Sequence, residues 1–328
     1  MNEDSILEKI RLWCETTQQA STLVSVGDDA AVLSSSGRPL AFASDMSIDG
    51  VHFNFAYSSA SDVGYKSIAR TLSDIAAMGA EARAVTISIA LPKSLGPEQI
   101  EQFRKEYFEG AIAIAHETKC SLAGGDLTRL DGPIVIDVAA VGEMRPGAKA
   151  WTRGGARAGD AFFVSGPLGG AAFALELFRN GQAAKLSHQQ AAKHRRPPPR
   201  FDVAEKLGTS NIHAAMDISD GLLRDAFRLC QASKVSLNID EQALRLSPGA
   251  TITHAFNGGD DYELMLATPA DDPSAQALAE IGCYRLGEFT TPIRPGESEI
   301  FLRGANDRRT LVASAARPAG GHDPFRDI

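Results

Sequence analysis

The stretch that decides the reading runs Ala43-Ser44-Asp45-Met46-Ser47-Ile48-Asp49-Gly50-Val51-His52-Phe53. It follows a strand-like run, Pro39–Ala43, and predicts a turn around Gly50 that carries Asp45, Asp49 and His52. A carboxylate at the end of a buried strand is costly unless a cation or hydrogen bonds compensate it. Similar acidic turns recur at Gly27-Asp28-Asp29, Gly124-Gly125-Asp126 and Asp217-Ile218-Ser219-Asp220-Gly221, and a helical segment adds Ser73-Asp74. The remaining chain reads as scaffold that gathers these carboxylates.

Working outward, the periodicity alternates. Ser5-Ile6-Leu7-Glu8 fits a helix-capping box, with Ile6, Ile10 and Trp13 on one face. Leu23–Val26 and Ala30–Leu33 read as strands, 62–78 as a helix closed by Gly79, Ala84–Leu91 as a strand, and Pro97–Lys119 as a long helix. Cys120–Ala123 and Pro133–Val141 read as strands. Gly- and Pro-containing turns crowd Met144–Gly159, which places a domain boundary near residue 145. Beyond it lie strand Ala161–Val164, the loop Ser165–Gly170 and helix Ala171–Arg179. Then come a proline-stiffened connector Arg195–Arg200, helix Leu222–Ala232, strand Val235–Ile239, the loop Asn257–Asp261 and strand Tyr262–Ala267. The expectation is an α/β (α+β) fold in two domains, residues 1–145 and 146–328. A chain of 328 residues suits two cores of about 150 residues each.

Composition removes several classes. At 44% hydrophobic and 23% charged the chain is that of an ordinary globular protein. A net charge of −8 argues against sequence-independent binding to nucleic acid or anionic membranes, yet is compatible with phosphorylated substrates held through Mg2+. The cysteines, Cys14, Cys120, Cys230 and Cys283, form no CxxC pair, which predicts reduced thiols and a cytoplasmic location rather than a disulfide framework. No signal-peptide pattern and no run of ~20 apolar residues is present.

Mg2+ takes oxygen ligands and is shared between carboxylates and phosphates. Asp29, Asp45, Asp74, Asp126, Asp217 and Asp220 would supply several such sites, and phosphoryl transfer asks of side chains mainly positioning and charge neutralisation. No Walker loop, kinase catalytic loop, G-x-S-x-G elbow or H-E-x-x-H occurs. Gly154-Gly155 and Gly166…Gly169-Gly170 are candidate backbone cradles for phosphate, though such glycines also serve as plain turns. His116, His188, His194, His213 and His254 show no clustering.

The acidic motifs occur in a recognisable order: Gly27-Asp28-Asp29-Ala30-Ala31-Val32, Ser44-Asp45 with Gly50-Val51-His52-Phe53, Leu72-Ser73-Asp74-Ile75-Ala76-Ala77-Met78-Gly79, Gly124-Gly125-Asp126, Trp151-Thr152-Arg153, Asp217–Leu222 and Gly258-Gly259-Asp260-Asp261-Tyr262-Glu263-Leu264. This succession closely resembles the thiamine-monophosphate kinase family, within the superfamily of aminoimidazole ribonucleotide synthetase. The resemblance implies ATP-dependent phosphorylation of thiamine monophosphate and several Mg2+ ions, and leaves a need for K+ open. It implies a homodimer whose N-terminal strands pair into a barrel and whose C-terminal domain covers the nucleotide. By motif position, Asp29, Ser44, Asp45, Asp74, Asp126 and Asp217 would hold Mg2+, and Asp220 a further ion near the transferred phosphate. Asp220 and Asp126 would be the residues nearest the chemistry. Gly125, Asp126, Arg153 and Ser219 would contact ATP, and His52, Glu263 and His322 the thiamine substrate. Two positions depart from the family: Phe108 replaces a tyrosine near the adenine, and Gly321-His322-Asp323-Pro324-Phe325 replaces the usual substrate wall. The competing readings are another ATP-dependent synthetase of the superfamily, which would need a reactive residue such as Cys14, and a non-catalytic nucleotide- and Mg2+-binding protein.

Overall fold

The computed structural model describes residues 3–24, 31–304 and 309–314. The chain forms two compact units, one made of residues 1–76 and 80–146, the other of 77–79 and 147–328. Both are α/β. Asp29 and His322 lie outside the described residues, as does the Gly27-Asp28 turn.

The first unit is built on a four-stranded sheet of β3 (Leu40–Ile48), β4 (Ala80–Pro92), β5 (Ser121–Leu130) and β6 (Val135–Met144), in the order β3-β6-β4-β5. Only β4 and β5 run parallel, joined by the helix α3 (Pro97–Thr118) that such a crossover requires. Pro97 starts α3, and the Gln99 side chain accepts the Gly96 N–H (2.9 Å). Helices α1 (Glu3–Glu15), α2 (Ala60–Ala77) and α3 belong to this unit, which also holds a small pair, β1 (Thr22–Val24) with β2 (Val32–Leu33). Helices α2 and α3 meet backbone to backbone. A Cβ on Gly64 would lie 2.0 Å from the Tyr107 carbonyl oxygen, and one on Gly110 1.8 Å from that of Ser61. No side chain fits either position.

Two expectations change here. Asp45, expected in a turn, and Gly124-Gly125-Asp126, expected at a strand end, both sit inside long strands. Pairing overrides the weak strand preference of Ser, Asp and Gly: β3 keeps register with β6 through Ser44–Ala139 and Asp45–Val138, and β5 keeps register with β4 through Gly125–Ile87 and Asp126–Ser88.

The second unit holds a seven-stranded sheet. Its strands are β7 (Asp160–Val164), β8 (Ala214–Asp217), β9 (Ser236–Asp240), β10 (Leu264–Pro269), β11 (Tyr284–Thr290), β12 (Glu299–Arg303) and β13 (Arg309–Ser314), in the order β13-β12-β9-β11-β7-β10-β8. One apolar layer on this sheet contains Phe162, Leu168, Leu222, Leu229 and Phe289 beside α7 (Leu222–Ser233); the other contains Trp151, Phe163, Val203 and Leu266 beside α6 (Phe201–Leu207). The remaining helices are α4 (Gly170–Arg179), α5 (His188–Arg195), α8 (Ile252–Asn257) and α9 (Pro273–Glu280). The connector expected at Arg195–Arg200 is shorter than read. Arg195 ends α5 and Arg200 precedes α6, so only the residues between them link the two helices.

At the rim of the first sheet, Glu143 is buried among arginines. It accepts from Ser36 and Arg38, and Arg83 Nε lies at 2.9 Å. Desolvation raises its carboxyl, but the Ser36 hydroxyl and the charges of Arg83 and Arg38 outweigh that and hold it at about 2, against an ordinary 4.5. A depressed folded-state pKa contributes stability above the unfolded value and loses it as pH falls through the folded value. Glu143→Gln is therefore expected to lower Tm at neutral pH, with the gap to the parent closing as pH falls from 4.5 toward about 2; a gap that stays constant in thermal melts across that range contradicts this.

Candidate active site

Each unit contributes its own acidic cluster. In the first, strand register sorts the residues onto two faces. Met46, Asp137, Ser88 and Asp126 stand in one row across the sheet, on the face that leaves Phe42, Ser88 and Asp126 exposed. Asp45, Val138 and Ile87 stand in the next row, on the helix-packed face. Ser44 Oγ donates to Asp137 Oδ1 (3.2 Å). Arg70, on α2, approaches Asp45 with Nη2 3.8 Å from Oδ1 and donates Nη1 to the Met46 carbonyl (3.2 Å) and to Ser47 Oγ (3.1 Å). Asp74 lies one helical turn beyond Arg70 on the same helix face. Burial raises the Asp45 carboxyl, Arg70 pulls it down, and the charge of Asp137 pushes it up again. Asp45 thus carries a charge its surroundings only partly compensate, which suits a hard cation.

The sheet keeps Asp45 and Asp126 apart: β6 and β4 lie between their strands, a separation of about 14 Å at ordinary strand spacing. Among the described residues no group of three or more His, Cys, Asp or Glu side chains is close enough to hold a metal ion. Asp126 and Asp45 would have to serve separate ions. Gly125 is fixed by contact rather than by turn geometry, because a Cβ there would lie 1.9 Å from the Ile87 carbonyl oxygen. His52 follows a turn at Gly50 (φ +83°), where Gly50 N–H donates to the Phe53 carbonyl (2.8 Å). His52 Nδ1 accepts from Ile48 N–H (3.1 Å), so its neutral ring carries the proton on Nε2. Phe108 is buried against Trp13 and Tyr107, in the core rather than on a surface.

In the second unit three loops meet at the ends of β7, β8 and β10. Asp217 ends β8 opposite Leu264, and the ladder continues as Ile218 N–H donates to the Glu263 carbonyl (2.8 Å). Asp260 N–H donates to the Ser219 carbonyl and Tyr262 N–H to that of Ile218, both at 2.9 Å. This brings the Asp217–Gly221 and Gly258–Glu263 motifs side by side. Gly259 permits the approach, since a Cβ there would lie 2.4 Å from the Ser219 carbonyl oxygen. Asp260 (φ +68°) and Tyr262 (φ +49°) both hold left-handed backbone, which non-glycine residues adopt at a cost.

Glu263 is buried and well partnered. It accepts from Ser165 Oγ (2.6 Å) and pairs with Arg200, while Lys193 Nζ lies 3.6 Å away. Arg200, expected as part of a connector, instead pairs with the buried Glu263. The cradle expected at Gly169-Gly170 also changes, because Asp261 occupies it: its carboxylate accepts from Gly169 N–H (2.6 Å) and Ala171 N–H (3.3 Å) at the start of α4. Burial lifts Asp261 to about 7 against those two hydrogen bonds. Arg153 is exposed, and its carbonyl accepts from Ser233 Oγ (2.7 Å).

Asp225 was not anticipated. It is fully buried in the first turn of α7 and accepts the N–H groups of Ser219 (3.0 Å) and Asp220 (2.7 Å). Burial pushes its carboxyl up to about 7, and the charges of Asp217 and Asp220 add to the rise. The one available signal was an acid at the start of an apolar helix. All four cysteines are buried, and burial pushes the Cys14 thiol up to about 12, which makes it a poor nucleophile.

Comparison with known proteins gives the family. The family described as AIR synthase related protein, N-terminal domain, matches residues 27–144, and its C-terminal counterpart matches 157–292. The thiamine-monophosphate kinase of Rhodopirellula baltica is 34% identical over 82% of this chain and 83% of its own. The chain belongs to the thiamine-monophosphate kinase family. Another relative in the kinase family, from Synechococcus elongatus, is 32% identical over 95% of this chain and 94% of its own. Among solved structures, the thiamine-monophosphate kinase of Stenotrophomonas maltophilia K279a aligns at TM-score 0.78 and 32% identity, covering 92% of this chain and 96% of that one. AaThiL complexed with AMPPCP and TMP aligns at TM-score 0.71 and 27% identity, covering 98% and 99%. Hydrogenase maturation protein HypE, at 19% identity, shares the fold (TM-score 0.73).

Truncating Asp225 to Ala should strand the Ser219 and Asp220 N–H groups at a cost on the order of 2 kcal/mol. A lowered denaturation midpoint together with faster amide exchange at residues 219 and 220 is the expected result; unchanged exchange there would contradict the assignment.

Proposed function

We propose that this chain phosphorylates thiamine monophosphate to thiamine diphosphate, with ATP as donor. The observation that carries the reading is the near full-length likeness to a kinase-family structure complexed with AMPPCP and TMP. In this reading Asp29, Ser44, Asp45, Asp74, Asp126 and Asp217 hold Mg2+, and Asp220 an ion near the transferred phosphoryl group. The donor set is all side-chain oxygen, as Mg2+ prefers. Bound Mg2+ would supply charge neutralisation for the phosphate oxygens.

The chain's own residues orient the reactants. Gly125, seated against the Ile87 carbonyl, and Asp126 beside it contact the nucleotide, and Arg153 and Ser219 complete the ATP contacts. His52, with its proton on Nε2, and Glu263, held by Ser165 and Arg200, address the thiamine moiety, with His322 as a further wall. The acceptor is the substrate's own phosphate oxygen, attacking in line without a covalent enzyme intermediate; the inert Cys14 supports direct transfer over a synthetase mechanism that needs a reactive thiol. Residues 1–145 would bind nucleotide and Mg2+ and form the dimer, and 146–328 would cover the nucleotide. No helix among the described residues is long and apolar enough to cross a membrane, and we place the enzyme in the cytoplasm.

Incubation with ATP, Mg2+ and thiamine monophosphate should yield ADP and thiamine diphosphate; absence of product would favour the non-catalytic reading, and a denaturation-stable phosphoenzyme would exclude direct transfer. Asp45→Asn and Asp126→Asn should each lower kcat by about 10²-fold or more while the fold persists, since charge compensation in the transition state is lost. Parent-like rates in either variant would remove that residue from the site. A homodimer is part of the same reading. Phe42, 73% exposed, with Leu40 and Met46, each 50% exposed, forms an apolar stripe on edge strand β3 that another copy would cover. Phe42→Asp should convert dimer to monomer in sedimentation velocity, and a monomeric parent protein would refute this.

A further inference from the structure

The turn after β8 carries a cation of its own. Asp217 is nearly buried, Asp225 is fully buried, and the Asp220 side chain is 22% exposed. Arg228, one turn along α7 from Asp225, places Nη1 2.6 Å from Asp220 Oδ2 and 2.8 Å from Asp225 Oδ1. A single guanidinium nitrogen therefore bridges two carboxylates. Charge-assisted bonds of this length are strong ones, yet the two acids are not equivalent. Asp225 is anchored by the Ser219 and Asp220 N–H groups, whereas Asp220 sits in the turn near solvent. The Arg228 side chain is 36% exposed, so its guanidinium has water to move into. Arg224 offers a contrast: it carries the same charge, but its Nε stays 3.8 Å from Asp220 Oδ2, beyond hydrogen-bond reach.

We propose that Arg228 is a resident counter-ion that exchanges with divalent metal at Asp220. Without metal it bridges Asp220 to Asp225; when a divalent cation engages Asp220, the guanidinium releases Oδ2 and remains on Asp225. This rests on the reading of Asp220 as a metal ligand. Arg228 is a positioning residue, since it acts through Asp220. The exchange spares the turn an uncompensated acid in either state. It also lowers apparent metal affinity, because the binding-competent arrangement must first be released from the ion pair.

The test is calorimetric titration of Mg2+ into the full chain without nucleotide. Arg228→Gln should bind Mg2+ about two- to fivefold more tightly than the parent, the range expected for removing one partly exposed ion-pair competitor. Its metal-free Tm should fall and be restored by Mg2+. Arg224→Gln, which removes the same charge from a group whose Nε stands 3.8 Å from Asp220 Oδ2, should bind close to parent. Equal tightening in both variants would mean general electrostatics and overturn the exchange, as would unchanged affinity in Arg228→Gln or absence of binding in both parent and variant. Asp220→Asn separates the premises: if it leaves Mg2+ affinity unchanged, the metal assignment of Asp220 fails; if it weakens binding while Arg228→Gln changes nothing, only the exchange fails.

Discussion

The fold is organised around the expense of removing carboxylates from water. Several of the buried or half-buried acids at the candidate site have a compensating partner in the fold. Arg70 stands beside Asp45, Arg228 joins Asp220 to Asp225, Arg200 and Ser165 hold Glu263, and the start of α4 donates to Asp261. Breaking one such pairing leaves an unpaired buried charge, which is far worse than never having built the pair. The same logic secures Glu143 away from the site, between Arg38 and Arg83. The scaffold thus tolerates these acids before any ligand arrives.

How much of this was legible depends on whether a feature is local. The alternation of elements and the long α3 follow from apolar periodicity and Gly/Pro punctuation, which the chain carries in short windows. The extension of β3 through Asp45 and of β5 through Asp126 was not legible, because Ser-Asp and Gly-Gly-Asp look like turns until β6 and β4 are laid alongside. Helix α5 was missed for a related reason: His188–Arg195 is almost wholly polar, so no apolar stripe marks it, and its capping box at Ser187 and Gln190 is the only local cue.

The acids were easy to find and their partners were not. Asp45, Asp126, Asp217 and Glu263 sit in short motifs that can be recognised by eye. Arg70, Arg200, Arg228, Asp137 and Asp225 occupy ordinary helix, strand or loop positions and acquire meaning only through contacts made at a distance. The expected gathering of carboxylates takes a different form as well. Register distributes Ser44, Asp137 and Asp126 on one face and Asp45 on the other, so within this unit they do not form one cluster.

The glycine contact between α2 and α3 has a consequence for how such a site can diverge. With Gly64 against the Tyr107 carbonyl and Gly110 against that of Ser61, the two helix axes are locked at a separation set by bare backbone. Arg70 and Asp74 ride on that locked pair. Homologues could retune them by exchanging side chains, but not by sliding the helix that bears them, so divergence at these two positions would proceed through chemistry on a fixed frame rather than through adjustment of the frame itself.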